Sequence, residues 1–244
     1  ATNDSGETVT QIWLQNVDST SRPLTGLESS SWMPNWSPNG REMVFVSDRN
    51  GLPEVHLMDV KTGAAHSLGV QGGSPTISER YLARNSAVGN RTKLFVAPRD
   101  GSAPAVDFGI AAGFSTISPN EEQIAFLGPM GDTIVIANID GSNHRDLVVG
   151  TNSSFIDEHL LVFQREDVLP WEIWVYSLET KKSSPLAVGS YPSTTRDGWV
   201  IFSDGGWFAI RPDGTEKTQI LPYEQNRGAV RVFGPISDPR PVEP

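Results

Sequence analysis

A unit of about forty residues recurs along this chain, and that period constrains what it can fold into more than any other property of the sequence. Its fullest copy runs from Trp36 to Gly63, WSPNGREMVFVSDRNGLPEVHLMDVKTG. Ser37-Pro38-Asn39-Gly40 has turn chemistry: proline presets φ, Asn tolerates the next position, and Gly supplies positive φ without a steric cost. Met43-Val44-Phe45-Val46 is an apolar run suited to a strand buried on both faces. Asp48-Arg49-Asn50-Gly51 reverses the chain again, and Glu54 to Asp59 largely alternates polar and apolar positions. Lys61-Thr62-Gly63 then turns into a weaker strand, Ala64 to Leu68. Four antiparallel strands in about forty residues make one blade of a β-propeller, a sheet that needs further copies to cover its faces.

The copies follow in register. Val55, Leu94, Ile134, Ile173 and Trp207 occupy equivalent third-strand places, the last interval shortened by the tight connection Ser203-Asp204-Gly205-Gly206. Trp36, Ile77, Ile117, Ile156 and Thr194 mark the ends of the inner strands at intervals near forty. Gln11 to Asn16 reads as a third strand whose inner strands do not precede it, while Val230 to Ser237 repeats the inner-strand pattern with no outer strands after it. The sequence therefore predicts an all-β, six-bladed propeller of four-stranded antiparallel blades, its N- and C-terminal strands sharing one blade so that no sheet edge stays open. Residues 1–244 are expected to form one domain, with residues 1–8 disordered. In the fifth blade the loop Arg165 to Pro170 has lost its turn glycines, and drift of the repeat is the favoured reading over a contact surface.

Composition narrows the function. With 37% hydrophobic residues, seven Trp and ten Phe, the chain can build a core. A net charge of −10 argues against nucleic acid and against a bare anionic membrane surface. There is no cysteine, which removes disulfides and thiolate metal sites, and no apolar run is long enough for a membrane-spanning helix. The Ala at position 1 and the lack of a signal-peptide pattern suggest a processed or excised form.

Chemistry is sparse in the pattern. His56, His66, His144 and His159 fall in different blades without metal-ligand spacing and read as surface residues, so neither a metal nor a cofactor is expected. The pairs Glu121-Glu122, Asp157-Glu158 and Glu166-Asp167 lie in turns, where solvated charge is the ordinary reading, and no nucleophile motif occurs. Asn152 appears only as one of four glycosylation sequons. The remaining candidate is the mouth of the central channel. Counting three residues back from each inner-strand end gives Met33, Ser74, Phe114, Ser153, Tyr191 and Phe233, flanked by Arg231. Large apolar and aromatic groups at such a rim either plug the channel as core or form a recognition surface.

Pro34-Asn35-Trp36-Ser37-Pro38-Asn39-Gly40, Phe45-Val46-Ser47-Asp48-Arg49-Asn50-Gly51 and Ile136-Ala137-Asn138-Ile139-Asp140-Gly141-Ser142-Asn143 resemble the TolB-like propellers built from WD40-like PD40 repeats. The resemblance covers nearly the whole chain and is more specific for fold than for function. It implies periplasmic binding proteins, extracytoplasmic parts of regulators, or propellers attached to peptidases; the separate N-terminal domain of TolB has no counterpart here. Together these readings predict a monomeric, non-enzymatic recognition domain, periplasmic or extracellular, that binds a protein or a basic peptide at the channel mouth. The alternatives are a propeller hydrolase or lyase, the accessory propeller of a peptidase, and a glycan- or small-ligand-binding propeller.

Overall fold

Most of the first hairpins close on a side-chain oxygen. Ser37 Oγ accepts the Glu42 N–H at 3.0 Å and donates to Asn39 Oδ1 at 2.9 Å, while Gly40 takes φ 69°. Ser118 repeats the arrangement with Gln123 and Asn120, and Thr195 Oγ1 accepts Trp199 N–H while bonding Asp197. The turn therefore satisfies its own polar groups before any packing occurs. Gly51, which ends the second hairpin of the fullest copy, also has positive φ, 92°.

The computed structural model describes residues 1–2, 6–16, 20–111 and 113–222. A short hairpin of β1 (Trp13–Gln15) and β2 (Ser21–Pro23) comes first. Sheet I contains β3 (Ser31–Trp36), β4 (Glu42–Ser47), β5 (Glu54–Asp59) and β6 (Ala65–Gln71). Sheet II contains β7 (Gly73–Ile77), β8 (Tyr81–Val88), β9 (Arg91–Pro98) and β10 (Val106–Ile110). Sheet III contains β11 (Gly113–Ile117), β12 (Gln123–Leu127), β13 (Thr133–Asn138) and β14 (Arg145–Val149). Sheet IV contains β15 (Thr151–Phe155), β16 (Leu160–Arg165), β17 (Glu172–Ser177) and β18 (Lys182–Val188). Sheet V contains β19 (Ser190–Thr194), β20 (Val200–Ser203), β21 (Gly206–Ile210) and β22 (Thr218–Pro222). Strands of each sheet pair in sequence order.

The expectation of six blades is corrected: the described residues form five four-stranded sheets and one two-stranded sheet. Among the described residues the N-terminal strand β1 pairs with β2 alone, and Asn16 N–H to Thr20 O and Leu24 N–H to Ile12 O close this local hairpin. The segment Val230 to Ser237, on which blade sharing rested, lies outside the described residues.

The chain divides into two units, residues 1–109 and 110–244. In the first, Ala1 and Val9 exchange backbone hydrogen bonds at 3.0 and 2.8 Å, and the hairpin sets Ile12 and Leu24 against Met43, Phe45, Met58 and Val60 of sheet I. The other face of sheet I packs Val44 and Val55 on Ile77 and Leu82 of sheet II. A charged tie crosses the same joint: Arg99 Nη2 meets Glu42 Oε2 at 2.7 Å and Nη1 donates to Ser78 O.

In the second unit, sheet IV is buried on both faces. Leu161 and Phe163 point to Ile134 and Ile136 of sheet III, and Val162 and Ile173 to Val200 and Phe202 of sheet V. Alternation along β16 sends neighbours to opposite cores, which is why the strand reads as a continuous apolar run. Full burial of each such side chain contributes about 1.5–3 kcal/mol. The five third-strand positions taken from the repeat, Val55, Leu94, Ile134, Ile173 and Trp207, are all at most 3% exposed.

Candidate recognition site

One edge of every sheet is where first strands begin, second strands end, third strands begin and fourth strands end. At this loop edge each first strand carries a register break against the second: between Trp32 and Asn35, Gly73 and Thr76, Gly113 and Ser115, Thr151 and Ser154, and Ser190 and Ser193. In four of the five sheets the bulge contains a non-glycine residue in the left-handed region: Met33 (φ 53°), Ser74 (45°), Asn152 (47°) and Tyr191 (55°). Three of these precede a proline, a position that itself disfavours helical backbone, so the shape is imposed by its surroundings. A strained conformation repeated at one register place is the kind of outlier that accompanies binding sites.

The surroundings that impose it are visible in the second unit. Gly150 and Gly189 precede the bulges with φ 157° and 152°, and each lies too close to a phenylalanine ring and a second-strand carbonyl to carry a Cβ. Gly150 N–H bonds Asp132 O and Gly189 N–H bonds Trp171 O, which pins the fourth-to-first connection to the loop between second and third strands. Gln164, fully buried, accepts the Tyr191 N–H on Oε1 at 2.7 Å and donates from Nε2 to Glu166 Oε1 at 2.8 Å. Thr151 Oγ1 donates to the same carboxylate oxygen at 2.7 Å, and Asn152 Nδ2 approaches Gln164 Oε1 at 3.5 Å. Deeper along the strands, Ser154 Oγ and Thr194 Oγ1 share a 2.9 Å bond between sheets IV and V.

The residues singled out in the sequence fall as follows. In the first unit Met33 and Ser74 meet: Ser74 N–H and Oγ–H both point at Met33 Sδ, at 3.2 and 3.7 Å, a thioether being a weak acceptor. In the second unit Phe114 is half-buried and Tyr191 is 52% exposed. Ser153 is displaced by one: β15 ends at Phe155 rather than Ile156, and Asn152 holds the bulge position. Phe233 and Arg231 lie outside the described residues.

Sequence reasoning singled out Tyr191 but missed the rest of the apolar rim. All six large hydrophobic residues exposed in the described part of the second unit, Met130, Val149, Leu169, Trp171, Val188 and Tyr191, lie at the loop edge. Val149-Gly150 and Val188-Gly189 repeat before consecutive first strands, a signal that was present in the sequence. The loop read as drift, Arg165 to Pro170, carries one of the six, Leu169 at 87% exposure, and Trp171 at 38% follows it directly. Arg165 in that loop is committed to Asp167, which it holds in an ion pair, and its guanidinium lies 4.8 Å from the Trp174 ring centroid.

The histidines divide. His66, His144 and His159 are exposed, but His56 is 1% exposed, stacks on Phe45 at 5.6 Å between centroids, and has no partner on either ring nitrogen. Burial, and then the Arg49 charge, push its pKa below the ordinary value. Among the described residues no group of three or more His, Asp or Glu is placed to hold a metal ion.

Solved structures share this architecture. A putative TolB from Agrobacterium tumefaciens superposes with TM-score 0.72 at 14% identity, over 88% of this chain and 90% of that one. TolB from Acinetobacter baumannii gives 0.71 at 13% identity over 85% of this chain, which spans 58% of that protein's length. The fold is that of the TolB-like β-propellers. A chain of a nidogen/laminin complex follows at TM-score 0.63, 14% identity, over 88% of this chain and 87% of that one. The same TolB-like arrangement of sheets also occurs in enzymes, among them an oligogalacturonate lyase and an acylaminoacyl peptidase. No family model matches the sequence.

Proposed function

We propose that this chain is a single-domain, monomeric recognition module of TolB-like fold, working in the periplasm or outside the cell, which binds a protein or peptide at the loop edge of its sheets without catalysing a reaction. The observation that carries this is the confinement of the exposed large apolar residues of the second unit to that edge. Exposed apolar groups gathered on one surface mark interaction sites, whereas scattered ones need no account. Fixed backbone beneath them lowers the ordering cost of binding, because the bulges are held before a partner arrives. In the second unit Phe114, Ser153 and Tyr191 are the proposed contacts, with Asn152, Leu169 and Trp171 added; Met33 and Ser74 are proposed at the loop edge of the first unit, and Phe233 and Arg231, also proposed, lie outside the described residues. One similar chain was solved as part of a nidogen/laminin complex, which supports a protein-binding use of such sheets.

Site-directed photo-crosslinking tests the reading. A photoreactive residue at position 191 or 171 should give one discrete protein adduct in extracytoplasmic extract, and one at Glu158, in an opposite-edge turn, should give none. Once the partner is purified, Phe114→Ala with Tyr191→Ala should weaken binding by about 2–4 kcal/mol. Adducts of equal yield from all three positions, or a partner whose affinity ignores both substitutions, would refute the site. Turnover of an oligogalacturonide or a peptide substrate would refute the non-enzymatic part.

A further inference from the structure

The carboxylate of Glu166 is held in one direction. Its Oε1 accepts Thr151 Oγ1 at 2.7 Å and Gln164 Nε2 at 2.8 Å, which occupies both lone pairs of that oxygen. Oε2 has no partner among the described residues, and Glu166 is exposed. Gln164, which fixes it, is fully buried and has its own Oε1 bound to Tyr191 N–H, so the carboxylate and the Tyr191 bulge are parts of one network. A side chain without a structural task at Oε2 would ordinarily sample several rotamers; this one is restrained by a buried group and a neighbouring hydroxyl.

Among the described residues no cation meets this carboxylate. Arg165 is engaged with Asp167 and Lys217 with Asp204, while Asp132 and Glu172 add negative charge at the same edge, their carboxylates bonded among the described residues to Thr133 Oγ1 and Trp174 Nε1. The exposed large apolar groups of the same loop edge include Val149, Leu169, Trp171, Val188 and Tyr191. From this we infer that the edge of sheets IV and V receives a lysine side chain of a partner segment whose flanking residues are apolar, its ammonium on Glu166 Oε2. A guanidinium gains most from a two-oxygen fork, and Oε1 is already saturated; an ammonium is a point donor and loses nothing at a single open oxygen. A free N-terminal amine would offer the same charge but apolar contact on one side only. This inference deepens the proposed recognition role and rests on it.

The test uses the whole chain and four short probes at millimolar concentration: acetyl-Leu-Lys-Val amide, its norleucine and arginine analogues, and unacetylated Lys-Val amide. Binding is followed by two-dimensional NMR at the Tyr191 amide and the Gln164 side-chain amide. The acetylated lysine peptide should shift both saturably and bind about five- to tenfold more tightly than the norleucine peptide, with the other two between them. Glu166→Gln, which keeps an acceptor for Thr151 and Gln164, should abolish the preference for lysine and leave norleucine binding unchanged. Salt at about 0.5 M should shrink the preference in the parent and not in the variant. If lysine and norleucine peptides bind alike at these residues, the cation inference is overturned while the recognition edge stands. If the arginine or the unacetylated probe is preferred, the lysine assignment is overturned. If no probe moves either amide, both the inference and the proposed edge are wrong.

Discussion

Replacing Gly189 by Ala is the sharpest test of how the loop edge is held. Gly189 has φ 152°, and an added Cβ would lie 2.6 Å from Phe202 Cδ2 and 2.7 Å from Ser203 O. The backbone region is nearly closed to residues with a Cβ, a cost of about 1–3 kcal/mol. Phe202 cannot give way cheaply, since it is fully buried against Val162, Val200 and Ile210, and overpacking of that kind costs about 1–3 kcal/mol more. The sum is a loss of about 2–6 kcal/mol, a large fraction of the stability of an ordinary domain. Gly214→Ala is the matched control: its φ is 86°, but nothing lies within 4 Å of the new methyl, so only the backbone term applies, about 1–2 kcal/mol. Urea unfolding followed by tryptophan fluorescence reads both, provided the slopes agree with the parent. Should Gly189→Ala lose no more than Gly214→Ala, the close approach of the connection to Phe202 does not constrain the chain, and the argument that buried packing holds the bulges falls with it.

Three further outcomes follow from the geometry. His56 has a folded-state pKa below its ordinary 6.5, so the unfolded chain protonates first as pH falls, and stability complete above about pH 6.5 is lost downward through the folded value. The unfolding free energy should drop between pH 7.5 and 5.5, by at most about 1.4 kcal/mol per pH unit, with a parallel fall in melting temperature, and His56→Leu should flatten the profile; a parent profile already flat there would contradict it. The lowered carboxylates Asp107, held by the Lys93 ammonium, and Asp140 and Asp213, held by Ser142 and Thr215, add a separate loss only as pH falls below their ordinary 3.8. Arg99→Ala, which cuts the tie from sheet II to Glu42 of sheet I and the bond to Ser78 O within sheet II, should cost about 1–2 kcal/mol in urea unfolding. Lys93→Ala, whose Asp107 partner sits in the same sheet, should cost less, and the reverse order would show that the joint does not depend on the charged tie.

The strands and their turns are legible in the sequence because local chemistry fixes them: Ser37, Ser118 and Thr195 close their hairpins with their own oxygens. The register of β15 is not. Phe155 and Ile156 are both apolar and both buried, at 4% and 8% exposure, so hydropathy alone cannot choose between them. Asn152 is missed for the same reason. Glu166 looks like turn charge beside Asp167, and only the approach of Gln164 and Thr151 separates their roles. His56 sits on the polar phase of an alternating strand, yet the hairpin of β1 and β2 packs over that side of sheet I, turning an expected surface residue into a core one. The number of blades depended on chain ends whose pairing is a long-range matter that no local pattern specifies.

The four left-handed bulge positions carry four different side chains, Met33, Ser74, Asn152 and Tyr191, on one backbone shape. In the second unit the Gly150 and Gly189 connections and the buried Gln164 fix that shape; Gln164 holds Tyr191 by its backbone N–H, while Asn152 meets Gln164 through its side chain. A residue that tolerates positive φ can therefore replace Tyr191 and alter the surface of the edge while the backbone bond to Gln164 stays in place. Surface and scaffold are thus carried at position 191 by different atoms of one residue, its side chain and its amide, so a substitution there changes what the edge displays without cutting the bond that shapes it.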